Sequence, residues 1–342
     1  MYRNLLNKLQ WILNKQTFLN FKVNSKIYKI ELKDFYMYRL RRDCSTVLFK
    51  SKKYNCILKL WWKQLKKEHH YYKLFKSLTP TVSNLISLEP WFYCYLEKKI
   101  DSVTMNHEYE METKIITDDS FNKIKKTLFE CLKIQKKFII KDKNINVYNK
   151  IIKNSFINQF EKEISNVEDF RFNQFIFEHS SLIKDLISTI KKDLKLLIKN
   201  NEINMSFIHG DFNLFNLIEN KIIDFEQWTE NILELDITTI LFHHFMFFKD
   251  EGDASQVAYL FSNNQIEEIF NIYSNLFKNN NLENNFWFFI LLRAFWWMSG
   301  FEKALLYKEF RIQKVLQLFN LYKKGQLNKQ FLLNLNNKFL NS

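Results

Sequence analysis

Glycine and proline are scarce in this chain, which has 342 residues but only 4 Gly and 2 Pro. Because the tight turns of many-stranded sandwiches and barrels depend on these residues, their scarcity favours a fold rich in helices. None of the 4 Cys lies in a CxxC pair, so the sequence indicates neither a zinc site nor a disulfide framework. The most apolar stretch, residues 286–298, is too short to span a membrane and contains Arg293.

Negative charge is also in short supply, with 37 Asp and Glu against 51 Lys and Arg, a net charge of +14. Such a charge suits an anionic substrate, a nucleic acid or a membrane surface. The lysines are spread along the chain, so a solvated basic surface is the simplest interpretation. Since no recognition motif accompanies the charge, we expect no nucleic-acid partner. Reduced thiols and the lack of a secretory signal predict a cytoplasmic protein.

Apolar residues are abundant, at 46% of the chain with 35 Phe, which is ample for a core. Residues 2–14 are predicted to form an amphipathic helix, packed on the main domain or lying on a membrane surface. The region that follows is predicted to be a small antiparallel sheet with one inserted helix, at residues 63–78. Its predicted strands cover residues 25–32, 35–40, 46–49, 56–61, 85–88 and 91–96.

The polar stretch at residues 101–113 is predicted to be the boundary between two lobes. Beyond it the pattern is mainly helical, interrupted by one strand hairpin at residues 206–226. The predicted helices cover residues 119–138, 145–163, 182–199, 234–248, 254–262, 265–278, 285–308 and 310–323. We therefore predict an α+β protein with an N-terminal helix (1–19), an N-lobe (20–98) and a C-lobe (99–342).

The most informative segment is HGDFNLFN, which begins at His209 and fits the H-x-D-x-x-x-x-N pattern of kinase catalytic loops. A short strand, a turn and a returning strand follow, and place Asp224 beside the loop. Phosphoryl transfer needs positioning and charge neutralisation, and Asp211 can orient an acceptor hydroxyl and accept its proton. Asn216 and Asp224 supply oxygen ligands of the kind that Mg²⁺ prefers, while His209 would brace the loop.

These motifs resemble those of the aminoglycoside phosphotransferase and choline kinase superfamily. Its members carry an HGD or HND loop with Asn five positions after the Asp, followed by a metal-binding Asp in a motif such as IDFE. The resemblance implies a two-lobed protein-kinase-like fold, ATP and Mg²⁺ as cofactors, and a hydroxyl of a small molecule as acceptor. It also implies that Asp236, in ELDITT, anchors the loop and that Glu226 helps to bind the metal.

The N-terminal part supports the same assignment. Lys59 ends an apolar strand, as the ATP-binding lysine does in V-A-I-K, and Glu68 in the next helix is its predicted partner. Residues 93–97 resemble the hinge strand whose backbone meets adenine. The segment 41–46 takes the place of the nucleotide loop but has no Gly, which puts ATP affinity in question. The predicted nucleotide contacts are Lys59, Glu68, Tyr95, Leu96, Ser45 and Thr46.

The acceptor itself is left open between an amino alcohol such as choline or ethanolamine, a sugar of a glycan, and an aminoglycoside. Residues 286–303 are most simply a core helix in which Arg293 is paired. In the alternative, Trp287, Trp296 or Trp297 lines the acceptor pocket, since aromatic faces bind quaternary ammonium groups. The alternative function is a catalytically weak or inactive binding module that engages an anionic surface, such as lipid at the inner membrane face.

Overall fold

The computed structural model describes residues 18–40, 47–51, 53–61, 64–89, 92–100, 115–140, 145–155, 157–164, 170–225, 229–245, 259, 261–299 and 305–340. These residues belong to two compact units. The first unit extends to Val103 and also takes in residues 218–228, and the second holds the remainder. The helix predicted over residues 2–14 and the boundary predicted at residues 101–113 lie outside the described residues.

A five-stranded antiparallel sheet forms the centre of the first unit. In spatial order its strands are β3 (Phe35–Leu40), β4 (Val47–Ser51), β5 (Cys56–Trp61), β7 (Phe92–Lys98) and β6 (Ile86–Glu89). The apolar side chains of the central strands β5 and β7 meet directly, because Leu58 lies opposite Leu96 and Leu60 opposite Cys94. All four are buried, and this pairing forms part of the core of the unit.

A separate hairpin precedes this sheet and consists of β1 (Phe18–Val23) and β2 (Lys26–Glu31). Its two-residue turn has positive φ angles at Asn24 (45°) and Ser25 (71°), the backbone geometry that best joins two twisted strands. Phe21 of β1 is fully buried and belongs to the same hydrophobic cluster as the central strands of the sheet.

Helix α1 (Gln64–Leu74) follows β5 and carries large side chains into the core of the first unit. Tyr71, Tyr72 and Phe75 are buried, and Phe225 contacts all three rings at centroid distances of 4.4, 5.0 and 6.2 Å. Phe225 follows the short hairpin of β9 (Leu217–Ile218) and β10 (Lys221–Ile222). Asp224, the residue before Phe225, is thereby placed beside α1.

The second unit is mainly helical. Its helices are α2 (Asp118–Lys136), α3 (Ile145–Asn154), α4 (Ile157–Ile164), α5 (Phe170–Lys199), α6 (Glu234–Phe245), α7 (Asn263–Phe277), α8 (Asn281–Asn284), α9 (Phe286–Ser299), α10 (Leu305–Lys323) and α11 (Lys329–Leu340). Side-chain caps mark where two of them start. Thr117 accepts from the backbone N–H of Ser120 at α2, and Ser262 with Gln265 forms a reciprocal capping box at α7.

Helix α9 is the centre of this unit, since every residue of it except Trp297 is buried. It packs against α6 and α10. Strand β8 (Met205–Ile208) pairs antiparallel with β11 (Thr229–Ile232), so that Ile208 lies opposite Thr229. Because β8 ends at Ile208, the loop that begins with His209 starts directly at the end of this strand.

No helix in the described ranges is both long enough and apolar enough to cross a membrane.

The predicted fold class is confirmed, with a small antiparallel sheet followed by a mainly helical remainder. Several predicted elements were wrong in detail. Helix α5 begins at Phe170 rather than at residue 182. Residues 300–304 of the helix predicted over residues 285–308 lie outside the described residues. No strand was predicted at β11, whose residues are mostly polar and which pairs with β8. The hairpin predicted within residues 206–226 is present as β9 and β10. Helix α11 was not predicted either.

Candidate active site

The loop that follows β8 is fixed by one buried carboxylate. Asp236, in the first turn of α6, accepts hydrogen bonds from the backbone N–H groups of His209 (2.7 Å) and Gly210 (2.9 Å). The side chain of Gln135 donates a third, at 2.6 Å. Gly210 has a φ of 82°, a conformation that most residues adopt only with strain. Asp236 therefore anchors the loop, as the resemblance implied.

Burial raises the pKa of Asp236, whereas the charge of His209 and the hydrogen bonds from the loop and from Gln135 lower it; the net direction is upward. His209 is fully buried, and its Nδ1 accepts the backbone N–H of Asp211 at 3.2 Å. The imidazole thus braces the backbone at Asp211. Together the two residues hold the turn that carries the proposed base.

Three donors orient the carboxylate of Asp211. Its Oδ1 accepts from Asn213 Nδ2 (2.9 Å) and from Arg293 (3.3 Å), and its Oδ2 accepts from Asn216 Nδ2 (3.1 Å). Asn216 Nδ2 also donates to the backbone oxygen of Asp211, at 2.8 Å. A carboxylate offers about four acceptor positions, so these contacts leave one for a further donor. The side chain is 31% exposed, which gives that donor access.

Arg293, on α9, reaches the loop from the core of the second unit. It is 6% exposed, donates from Nε to the Thr239 hydroxyl at 3.0 Å, and lies over the ring of Trp296 at 5.2 Å. Burial lowers its pKa, although the charges of Asp211 and Asp236 act in the opposite direction. The prediction that Arg293 is paired in the core is confirmed, and its partner is Asp211.

In the first unit, Lys59 is the centre of a buried charge cluster. Its ammonium lies 2.7 Å from Glu68 Oε1 on α1 and 3.6 Å from Glu97 Oε2 on β7. Tyr72 donates its hydroxyl to Glu97 at 2.9 Å. Burial opposes the charge of Lys59, but the neighbouring carboxylates prevail and hold its pKa well above the ordinary value. The predicted pairing of Lys59 with Glu68 is present.

Asp224 belongs to the same unit, and its charge affects the pKa of Glu68 in this cluster. Burial raises the pKa of Glu68, Lys59 lowers it, and the charge of Asp224 raises it again. Asp224 has a φ of 62°, a left-handed conformation that costs a non-glycine residue roughly 1 kcal/mol. The rings packed around Phe225 hold it there, as does the backbone hydrogen bond from Ile222 to Leu78 at 2.7 Å.

The hinge residues lie inside a paired strand, since β7 continues to Lys98. Tyr95 lies opposite Lys59, and its ring is fully buried. Both backbone groups of Leu96 already bind Ser83: the Leu96 N–H donates to Ser83 Oγ at 2.9 Å, and the Leu96 oxygen accepts the Ser83 N–H at 2.8 Å. An adenine bound at the backbone of Leu96 would have to displace Ser83.

Three of the predicted contacts, Ser45, Thr46 and Glu226, lie outside the described residues. Glu97 and Gln135 are among the residues of the site that were not predicted as part of it. Glu97 ends the segment YCYLE and was predicted only as hinge strand, although a carboxylate in so apolar a strand indicates a buried partner. Gln135, in the last turn of α2, gave no signal in the sequence, because only the fold brings it to Asp236.

Solved structures similar to this chain include three kinases. The ethanolamine kinase of Plasmodium vivax is 13% identical, with a TM-score of 0.50 over 83% of this chain and 80% of its own. A glucosamine kinase is 8% identical, with a TM-score of 0.51 over 93% and 84%. An aminoglycoside phosphotransferase is 11% identical, with a TM-score of 0.49 over 83% and 93%, and carries no weight in assigning the fold.

No protein-family model matches the sequence, and no curated protein matches it either. The solved structures that do match come from the superfamily that the HGD segment resembles. At identities this low the likeness shows the fold alone. The chain therefore has the kinase-like fold of the ethanolamine and glucosamine kinases.

Proposed function

We propose that the protein transfers the γ-phosphoryl group of ATP to a hydroxyl group of a small molecule. One observation carries the proposal. Asp211 is held by three side-chain donors on a loop that Asp236 anchors, and it keeps an accessible acceptor position. A general base needs this arrangement, because it must accept a hydroxyl proton within hydrogen-bond distance and in a fixed orientation. Asp211 is the proposed base, and His209 its positioning residue.

The oxygen donors of the motif fit Mg²⁺. Asn216 uses its Nδ2 to bind Asp211, which leaves its Oδ1 as a neutral oxygen ligand, and Asp224 offers a carboxylate. Among the described residues, no group of three or more His, Cys, Asp or Glu is placed to hold a metal by itself. This suits Mg²⁺, which is usually bound by one or two protein oxygens together with substrate phosphates. When bound, the ion would neutralise charge on the phosphates.

Lys59 is the proposed phosphate-binding residue, and Glu68 holds its ammonium in place. The buried position of the pair favours this role over that of a surface lysine, because a desolvated ammonium binds phosphate oxygens strongly. For adenine, Tyr95 and Leu96 are weak candidates, since the backbone of Leu96 is occupied by Ser83.

The test is ATP turnover with Mg²⁺ and pooled acceptors that include amino alcohols, sugars and aminoglycosides. Asp211→Asn removes the base but keeps a side chain of equal size, so turnover should fall about 10²- to 10⁴-fold while MgATP still binds. Asp224→Ala should lower both turnover and Mg²⁺-dependent nucleotide binding. Asp119→Ala, an exposed aspartate on α2, is the control and should change neither. Turnover that survives both active-site substitutions would refute the proposal.

A second candidate function, contact with an anionic membrane, is favoured by a groove along α5. The groove measures about 1030 Å³ and has an apolar floor that includes Ile183 and Ile187. Its lining contains one acidic residue, Glu161, which pairs with one of the lysines. An apolar floor with a basic rim suits a lipid with an anionic headgroup. The lysines of the rim are Lys184, Lys191, Lys192, Lys195 and Lys199.

Vesicle sedimentation tests this candidate, with phosphatidylcholine vesicles that contain or lack phosphatidylserine. Each lysine near an anionic surface contributes about 1 kcal/mol, so reversing Lys192, Lys195 and Lys199 to Glu should weaken binding by about 100-fold or more. The control reverses three exposed lysines elsewhere, Lys22, Lys26 and Lys126, for the same change in net charge. Equal losses in the two triple variants would mean that net charge alone drives the binding.

A further inference from the structure

Two neighbouring threonines of α6 have similar surroundings but differ in one contact. Thr238 and Thr239 are both fully buried, and each donates its hydroxyl hydrogen to the backbone oxygen of Leu235, at 3.1 and 2.7 Å. A bond of this kind to the preceding turn is ordinary for a threonine in a helix. Within the described residues, the oxygen of Thr239 also accepts a hydrogen bond, from Arg293 Nε at 3.0 Å, and that of Thr238 does not. The hydroxyl of Thr239 therefore joins α6 to α9.

Arg293 connects this hydroxyl to the proposed base. While its Nε donates to Thr239, its Nη2 donates to Asp211 Oδ1 at 3.3 Å. A guanidinium group is planar and rigid, so a bond that fixes Nε also fixes the direction in which Nη2 points. The group is buried and lies over the ring of Trp296 at 5.2 Å, and such packing restricts its rotation. The position of the Thr239 oxygen thereby helps to set the position of the donor to Asp211.

The bond from Arg293 differs from the other two that the Asp211 carboxylate accepts. Asn213 and Asn216 lie two and five residues from Asp211 in the same loop, so they move together with it. Among the described donors to this carboxylate, Arg293 is the one that comes from outside the loop. It therefore orients the carboxylate relative to the helices of the second unit, whereas the two asparagines orient it relative to its own loop.

Helix α6 thus acts on the catalytic loop at two points. Asp236, in its first turn, binds the backbone of the loop, and Thr239 acts on the side chain of Asp211 through Arg293. Residues three apart in a helix lie on the same face, so both contacts leave α6 on one side. One helix face therefore fixes both the path of the loop and the direction of its carboxylate.

We infer that Thr239 is a positioning residue for the proposed phosphoryl transfer: its hydroxyl acts through Arg293 to hold Asp211 in the orientation that accepts the proton of the acceptor. The inference rests on the proposed function. A general base must lie at hydrogen-bond distance from the hydroxyl and point towards it. Because a misplacement of about 1 Å can reduce the rate by about 10²-fold, losing the Thr239 hydroxyl should lower kcat.

Thr239→Val and Thr238→Val form a matched pair that tests the inference. Each replaces a buried hydroxyl by a methyl group of similar size and removes one hydrogen bond to Leu235, so both variants should be less stable in urea than the wild type. Turnover is measured with Mg²⁺, ATP and the acceptor that reacts best in the pooled screen, under conditions in which all variants are folded. In Thr239→Val, kcat should fall about 10- to 100-fold, and in Thr238→Val it should stay within about twofold of the wild type. The Kd of MgATP should not change in either variant.

Two further variants separate positioning from packing. Thr239→Ser keeps the hydroxyl group but loses a buried methyl group, and should retain most of kcat. In an Arg293→Gln background, kcat is already low, and adding Thr239→Val should reduce it little further because Thr239 acts through Arg293. A loss of packing at residue 239 would instead reduce kcat by the same factor in both backgrounds.

The inference is wrong if Thr239→Val and Thr238→Val reduce kcat equally or not at all. It is also wrong if Thr239→Ser loses as much as Thr239→Val, or if the loss is the same with Arg293→Gln as with the wild-type arginine. In each of these cases the wild type still phosphorylates its acceptor, so the proposed function stands. If the wild type phosphorylates no hydroxyl compound, the proposed function fails, and the inference fails with it.

Discussion

Lys59 is shared between two buried carboxylates, and this sharing affects its availability to a nucleotide. Glu68 makes the shorter contact, at 2.7 Å, and Glu97 lies at 3.6 Å with the Tyr72 hydroxyl bound to the same oxygen. A phosphate that binds Lys59 must compete with both carboxylates, and it also meets their negative charge. Glu97 is therefore expected to lower nucleotide affinity, in contrast to Glu68, which holds the ammonium in place.

The first prediction concerns Glu97→Gln. The amide removes one negative charge near Lys59 but keeps an oxygen that accepts the Tyr72 hydroxyl. MgATP should bind about 3- to 10-fold more tightly, on the order of 1 kcal/mol, as measured by titration calorimetry. Tyr72→Phe should weaken the binding of MgATP, because Glu97 then has Lys59 as its remaining partner in the cluster. Unchanged or weaker binding in Glu97→Gln would show that Glu97 does not compete for Lys59.

Glu234 joins three elements of the second unit, since it begins α6 and accepts hydrogen bonds from Asn204, just before β8, and from Tyr273 on α7. Burial raises the pKa of Glu234, although these hydrogen bonds lower it, and the net direction is upward from 4.5. At a pH between the unfolded and folded pKa values, only the unfolded state has lost the proton. The contribution of Glu234 to stability is therefore greatest below pH 4.5 and decreases as the pH rises through the folded pKa.

The second prediction follows from the upward direction of the Glu234 pKa shift. In urea unfolding at a series of pH values, the free energy of unfolding of the wild type, relative to that of Glu234→Gln, should fall as the pH rises above 4.5 and then level off. The reason is that the amide side chain of the variant does not titrate, so the difference isolates the carboxyl group. If the stability of the wild type relative to Glu234→Gln rises with pH, the upward direction of the Glu234 pKa shift is wrong.

At the scale of helices and strands, a local residue pattern was enough to predict most elements. A strand that depends on pairing with a distant strand was missed. Strand β11 contains Thr229, Glu230 and Asn231, which have little strand preference together, and it is a strand because β8 lies beside it. Helix α5 was predicted to start at residue 182, yet the buried positions Phe172, Phe175 and Ile176 already follow the helical period. The start of α5 could therefore have been predicted from the sequence, whereas the strand β11 could not.

The candidate site divides in the same way at the scale of the whole molecule. One motif was enough to predict Asp211, Asn216 and Asp224, because the spacing of these residues along the chain is characteristic. Arg293 lies 82 residues from Asp211 in the chain, and Gln135 lies 101 residues from Asp236. No local pattern encodes such contacts.

The net charge of +14 complicates any test of nucleotide binding, because a basic protein attracts ATP without a specific site. Salt separates the two effects: at physiological ionic strength the Debye length is about 8 Å, so attraction to dispersed surface lysines is largely screened. The buried cluster around Lys59 is screened much less. The third prediction is that MgATP at about 100 times its Kd still raises the Tm at this ionic strength, by about 5 °C.

Inorganic tripolyphosphate, which has the charge but no nucleoside, should lose most of its effect on the Tm as salt is raised. Lys59→Met should abolish the salt-resistant shift with MgATP, whereas Lys126→Met, at an exposed position on α2, should retain it. Because Lys59→Met leaves Glu68 and Glu97 without their cation, its own Tm should be lower, and the comparison is made with and without nucleotide for each variant. A shift that disappears with salt in the wild type would mean that the surface charge, and not the buried lysine, binds the phosphates.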